Sequence, residues 1–262
     1  MVDVVIPIYK KNPDVNDVIA LRQVFCLLKN HPIVFVHPSS LDMTFYKQFS
    51  DANFLAFDDV FFQGIQGYNR LMLNLDFYKR FSKKYILIYQ TDAYVFKDEL
   101  LYWCKKDYDY IGAPWLGSKE NIPIEKKVWD QVAYLSKKLI NYKNNNKAQK
   151  NKSLLYNGVG NGGFSLRKRE KFIEVLEKLA DQAKIYLKTE NYSSRFYAED
   201  VFFSIEPERN GIQFSKPDYK EACRFSIENK VGKAFSYNNN ELPFGCHRWN
   251  KENYSFWKQY IK

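Results

Sequence analysis

Tyr85-Ile86-Leu87-Ile88-Tyr89-Gln90-Thr91-Asp92 passes from five apolar residues to three polar ones, the last of them an acid. A short apolar run rich in Ile, with no polar interruption, reads as a strand buried on both faces. Its abrupt end delivers a carboxylate to the edge of a sheet. Val2-Asp3-Val4-Val5-Ile6-Pro7-Ile8-Tyr9 has the same character, with Pro7 marking its end. Ile33-Val34-Phe35-Val36 and Phe54-Leu55-Ala56-Phe57 are further runs of strand length. Between these runs, Asp14 to Lys29 spaces Val18, Leu21, Phe25 and Leu28 as one face of a helix, and Gly67 to Phe81 does the same with Leu71, Leu75 and Tyr78. Strands alternating with helices predict an α/β fold whose central sheet is mostly parallel and flanked by helices. Ligands of such sheets bind beyond the carboxyl ends of the strands, so Tyr9 and Asp92 are expected to share a crevice.

The remaining sequence reads as part of the same single domain. Ile124 to Tyr142 has the pattern of an amphipathic helix, and Lys143 to Lys152 is polar, basic and low in complexity. Together they read as an insertion over about 119–152, between a first half of about 1–117 and a second of about 153–262. Arg169 to Leu187 is predicted as another amphipathic helix, and the chain after Gly211 as irregular.

With 262 residues, 45% of them hydrophobic, the chain is long enough to bury a substantial core and is not a disordered polymer. The net charge is +10, from 40 Lys and Arg against 30 Asp and Glu, which favours anionic partners. The basic residues are scattered, and no zinc-finger spacing or RNA-binding signature accompanies them, so nucleic acid is not the expected partner. A nucleotide-bearing small molecule or an anionic lipid surface fits better. The four cysteines stand far apart, a usage that belongs to a reducing compartment and not to a disulfide framework, and Cys26 falls within a helical pattern as a small core residue. No secretory leader opens the sequence and no stretch has the length of a membrane span. The expected location is the cytoplasm, with peripheral contact at the inner face of the membrane.

Several short segments have the residue types that chemistry requires. Asp92, at a strand end, can bind a divalent cation that bridges a diphosphate, or accept a hydrogen bond from a ribose hydroxyl. The structural alternative is a turn residue. Ala198-Glu199-Asp200-Val201-Phe202-Phe203 places two acids at the start of an apolar helix, where they either cap free N–H groups or supply a general base. Gly158 to Gly163 holds four glycines in six residues, the phase of which does not match a dinucleotide fingerprint. It forms either a tight turn into a strand or a bare backbone floor beneath a sugar ring. His247, beside Gly245 and Trp249, is either a structural histidine or part of a segment that closes over a site. Gly67-Tyr68-Asn69-Arg70 opens a helix that can present N–H groups or a guanidinium to a phosphate.

In this order the segments resemble those of the GT-A class of nucleotide-sugar glycosyltransferases, and most closely an uncharacterised bacterial family within it. The resemblance runs from Val4-Val5-Ile6-Pro7-Ile8-Tyr9 to Phe244-Gly245-Cys246-His247 and leaves out only the insertion. It implies a GT-A fold, Rossmann-like, in which Pro7, Tyr9, Gly67, Asn69, Arg70, Asp92 and Tyr94 lie around the donor. It implies that Asn161, Gly162 and Gly163 floor the acceptor side with Trp115 stacking on an acceptor sugar. Asp200 is implied as the base and Glu199 as the residue that orients the acceptor, with Asp92 and His247 as ligands of a divalent metal, Mn²⁺ or Mg²⁺. The sequence departs from the D-x-D pattern at Tyr94, where the family usually has its second Asp. Asp92 then either holds a cation together with the diphosphate and His247, or serves the ribose alone.

The implied activity is transfer of a hexose-type sugar from a nucleotide-sugar to a hydroxyl of a bacterial cell-surface glycan or lipid-linked saccharide, with inversion if Asp200 is the base. The competing expectations are a nucleotidyltransferase and a non-catalytic protein that binds sugar nucleotides or glycans.

Overall fold

The computed structural model describes residues 1–117, 155–191 and 195–261. The expected insertion, with its helix over Ile124–Tyr142, lies outside the described residues. Four parallel strands form the frame: β1 (Val2–Pro7), β2 (Ile33–Pro38), β3 (Ala52–Phe57) and β4 (Tyr85–Tyr89). After β5 (Ala93–Val95), β6 (Tyr110–Gly112), β7 (Pro114–Trp115) and β8 (Gly158–Val159), the chain enters β9 (Phe164–Lys168), which runs antiparallel to β4. The main sheet has six strands in the order β3-β2-β1-β4-β9-β6. It is mostly parallel, as the strand–helix alternation predicts.

Every residue of β1 and β4 is buried, and the period-two alternation of a strand divides them between two cores. Val4, Ile6, Leu87 and Tyr89 point into one, where helix Val15–Leu27 packs with Ala20, Leu21 and Val24. Val5, Ile86 and Ile88 point into the other, against Phe172, Val175, Phe202 and Phe203 of later helices. Helix Val15–Leu27 begins at a reciprocal cap. The Asp14 carboxylate accepts from the Asn16 and Asp17 backbone N–H groups, and the Asp17 carboxylate accepts from the Asp14 N–H. Cys26 falls on the exposed side of that helix and is not a core residue.

Two predicted helices are each broken in two. The first ends at Met72 and restarts at Leu75, because the Asn74 side chain accepts from the Asp76 N–H and caps a new helix. The second divides at Leu179, whose backbone leaves the helical region, into Arg169–Lys178 and Ala180–Tyr186. The chain beyond Gly211 is also more regular than its composition predicts. It forms helices Tyr219–Phe225 and Val231–Tyr237 together with β10 (Ser226–Ile227) and β11 (Gly245–His247). These strands join β5 in a second sheet of order β10-β11-β5, backed by Trp249 and Trp257. No helix among the described residues is long and apolar enough to cross a membrane.

Candidate active site

A cleft of about 440 Å³ opens at the carboxyl ends of β1 and β4. Its walls come from the segment after β1, the helix Gly64–Met72 and the turn before it, the turn between β4 and β5, the Asn161–Gly163 loop, the start of the helix Glu199–Arg209, and the end of β11 with the segment after it. Tyr9 and Asp92 both line it, as the strand-end argument requires.

Asp92 is placed by the chain reversal after β4, in which the Ala93 N–H donates to the Gln90 carbonyl. β5 then pairs antiparallel with β11, and His247 stands opposite Ala93. The pairing brings the His247 Nε2 to 3.0 Å from Asp92 Oδ1 and 3.1 Å from Gln90 Oε1. On its other side, Nδ1 lies 3.3 Å from Glu228 Oε1 without completing a hydrogen bond to it. His247 is thus a buried residue of a strand, held between two carboxylates. Burial opposes its charge, but Asp92 and Glu228 outweigh burial and lift its pKa to about 10. The Asp92 carboxyl is held below its ordinary value, because His247 and Lys251 outweigh the effect of burial.

The Asn161-Gly162-Gly163 loop forms the opposite wall, and the need for a bare backbone there is now physical. A Cβ on Gly162 would lie 2.0 Å from Glu199 Oε1, and one on Gly163 would lie 2.1 Å from His247 Nε2. The loop is fixed by Asn161, which donates to Glu228 Oε2 at 2.8 Å and accepts from the Gly163 N–H at 3.2 Å.

Glu199 and Asp200 begin their helix, and Asp200 Oδ1 accepts from the free Val201 N–H of the first turn at 2.8 Å, while the Glu199 side chain caps nothing. The Glu199 N–H donates to Asn69 Oδ1 at 3.1 Å, so a neighbouring helix supplies a second cap. The Glu199 Oε1 is 3.0 Å from Arg167 Nη2, and both side chains are buried. Arg167 reaches Glu199 from beneath the sheet, with Nε on Ser165 Oγ and Nη1 on the Tyr78 hydroxyl. Asp200 is only partly buried and faces the cleft. Burial, reinforced by the charges of Glu199 and Glu228, pushes its pKa up to about 7.

Of the residues singled out in the sequence, Pro7, Tyr9, Asn69, Asp92, Asn161, Gly162, Gly163, Glu199, Asp200 and His247 are brought together in this cleft. Four are not among its lining residues. Gly67 packs where a Cβ would meet the Val60 carbonyl at 2.6 Å, and Arg70 follows it around the same helix. Tyr94 points away into the core around the second sheet, against Phe96 and Trp249. Trp115 lies in β7, packed on the second core. Sequence reasoning missed Glu228, Gln90, Tyr68 and Arg167. Gln90, two residues before Asp92, Tyr68, inside the Gly67–Arg70 segment, and Arg167, just after the glycine pair, had a positional signal; Glu228 had none.

Asp92 and His247 are residue types that ligate divalent cations, but with a pKa of about 10 the imidazole holds a proton that a cation would have to displace. His247 Nε2 lies 3.0 Å from Asp92 Oδ1 and 3.1 Å from Gln90 Oε1, an arrangement that a proton on Nε2 satisfies. Glu228 stands where a carboxylate orients a ligating imidazole. Tyr94 adds no ligand, and among the described residues no group of three or more His, Cys, Asp or Glu is set to hold a metal.

The model of a protein family described as Protein of unknown function (DUF5672) matches residues 51–247. The chain belongs to that family. No curated protein matches it in sequence. Solved structures do match in fold. The galactosyltransferase LgtC, in complex with donor and acceptor sugar analogs, superimposes with a TM-score of 0.55 at 13% identity, over 99% of this chain and 95% of that one. The apo glycosyltransferase GlyE of Streptococcus pneumoniae TIGR4 gives 0.53 at 12% identity, over 99% of this chain. This chain spans 59% of GlyE. Mouse xyloside xylosyltransferase 1 gives 0.50 at 12% identity, over 94% of this chain and 97% of that one. The architecture is that of the GT-A glycosyltransferases.

Proposed function

We propose that this protein transfers a sugar from a nucleotide-sugar donor to a hydroxyl of a saccharide or lipid-linked saccharide. The observation that carries the proposal is that the Asp200 carboxyl lines the same cleft as the Asp92–His247 pair, where burial and the charges of Glu199 and Glu228 raise its pKa to about 7. A base that titrates near neutrality is available in both forms at working pH.

In this reading the donor lies over the ends of β1 and β4, its base beside Pro7 and Tyr9 and its diphosphate toward Asp92, His247 and Lys251. A Mn²⁺ or Mg²⁺ held by Asp92 and His247 would offset the diphosphate charge. The Asn161-Gly162-Gly163 loop floors the acceptor side. Asp200 takes the proton of the acceptor hydroxyl as the acceptor oxygen bonds to the anomeric carbon. The bond from that carbon to the diphosphate oxygen breaks, and the nucleoside diphosphate leaves with the electron pair. Attack opposite the leaving group inverts the anomeric configuration.

A thermal-shift screen of nucleotides and nucleotide-sugars, with and without Mn²⁺, tests this directly, since a ligand that binds only the folded state raises its melting temperature. The expected result is stabilisation by one nucleoside diphosphate and by its sugar conjugates. A flat response throughout sinks the proposal. Release of pyrophosphate from a nucleoside triphosphate would identify a nucleotidyltransferase instead.

A further inference from the structure

Four buried polar atoms of cleft-lining residues lack hydrogen-bond partners among the described residues: His247 Nδ1 and Asn250 Oδ1 on the β11 side, and Glu199 Oε2 and the Tyr68 hydroxyl at the base of the cleft. Glu199 as a whole is only 2% exposed. The Tyr68 hydroxyl lies near Gln90 without completing a hydrogen bond to it. Leaving such groups unpaired is costly, so a built site of this kind is completed by something that supplies the missing partners.

The position of the Glu199 and Tyr68 atoms limits what that something is. Gln90 touches His247 at 3.1 Å and stands two residues before Asp92, and Glu199 directly precedes Asp200. The corner made by Gln90, Tyr68 and Glu199 therefore connects the diphosphate end of the cleft with the base. The transferred sugar is bonded to the diphosphate and must present its anomeric carbon toward the base, so it occupies this interval. The other Glu199 oxygen is committed to Arg167, which fixes the carboxylate and leaves Oε2 as an acceptor only. A free sugar hydroxyl can donate to Oε2, and a sugar oxygen can accept from the Tyr68 hydroxyl.

Resting on the sugar-transfer reading, we infer that Glu199, expected from the resemblance on the acceptor side, instead forms with Tyr68 the subsite that selects the transferred sugar, taking a neutral sugar with a free hydroxyl at this corner. A sugar deoxygenated at that position leaves a buried carboxylate oxygen without a donor, the kind of loss that gives strong discrimination. A uronic acid brings a second carboxylate toward Glu199 and is repelled.

The test is a titration by calorimetry of wild type, Tyr68→Phe and Glu199→Gln. The probes are UDP and GDP, with UDP-glucose, UDP-galactose, UDP-glucuronic acid and GDP-mannose. The readout is the ratio of the affinity for a sugar conjugate to that for its parent diphosphate. Expected are a wild-type ratio above one for a neutral sugar and no gain for the glucuronate. Tyr68→Phe, which removes a single oxygen, lowers the ratio by about 3- to 10-fold, and Glu199→Gln by about 10- to 100-fold. Affinity for the bare diphosphate stays unchanged. If the diphosphates bind and both variants keep the wild-type ratio, or if glucuronate is favoured, the subsite is wrong while the transfer reading survives. Failure of every nucleotide to bind overturns both.

Discussion

Gly163 lies against the imidazole of His247 so closely that a single added methyl carbon would sit 2.1 Å from Nε2. The glycine of one wall and the histidine of the other thus form one unit. Gly163→Ala is expected to displace the ring from Asp92 and to cost about 1–3 kcal/mol, as overpacking of a filled site does. Gly232→Ala, in the helix Val231–Tyr237 with open space around the new carbon, is the control and should be neutral or stabilising. Urea denaturation of the two variants gives the comparison; equal stabilities would mean the loop has room to move.

Asp200→Asn should abolish turnover, by at least about 100-fold on the usual scale of general-base catalysis, while donor binding persists. Near-normal turnover would remove Asp200 from the mechanism.

The pH dependence follows from the same group. With a pKa of about 7, Asp200 acts as a base above neutrality, so kcat/KM should rise with pH through about 7 and then level off. The stability linkage has the opposite sign. A carboxyl raised above its unfolded value favours the folded state at low pH, and that contribution is lost as pH rises toward 7. Asp200→Asn should therefore raise the melting temperature most at pH 8, less at pH 5, and little below about pH 4. A larger gain at pH 5 contradicts the assigned shift.

Arg167→Met leaves Glu199 buried without its cation. Removing one member of a buried pair costs about 3–5 kcal/mol. Adding Glu199→Gln removes the stranded charge and should recover much of that loss, which a double-mutant cycle by urea denaturation measures. Simple additivity would show that the pair is not coupled.

Tyr94→Asp restores the acidic spacing of D-x-D but should not create a metal ligand. The side chain at this position points into the core, against Phe96 and Trp249. The change buries a carboxylate in place of a ring and is expected to destabilise by about 3 kcal/mol or more. Calorimetric titration with Mn²⁺ should show no gain in affinity over wild type.

The strands were legible where burial on both faces leaves an unbroken apolar run. Tyr85–Tyr89 is the plainest case, and the reversal that follows it placed Asp92 correctly at a crevice. The helix breaks at Asn74 and Leu179 were not legible, because apolar spacing continues across them and hides the interruption. The second sheet was missed for a different reason. β10 and β11 are two and three residues long, too short for any period to register. Their register comes from β5, far away in sequence. Glu228 gave no signal for a related reason: it matters through Asn161 and His247, which lie elsewhere in the chain. The glycine pair was read as a backbone approached closely. What approaches in the structure is the protein's own Glu199 and His247.

The pairing of β11 with β5 has a consequence for assembly. Asp92 and His247 meet only when strands on either side of the insertion have found each other, a closure late in chain order and slow on topological grounds. Until that docking occurs, a nascent chain possesses the strand-end acid but not the imidazole above it. The Asp92–His247 pairing is thereby tied to completion of the fold.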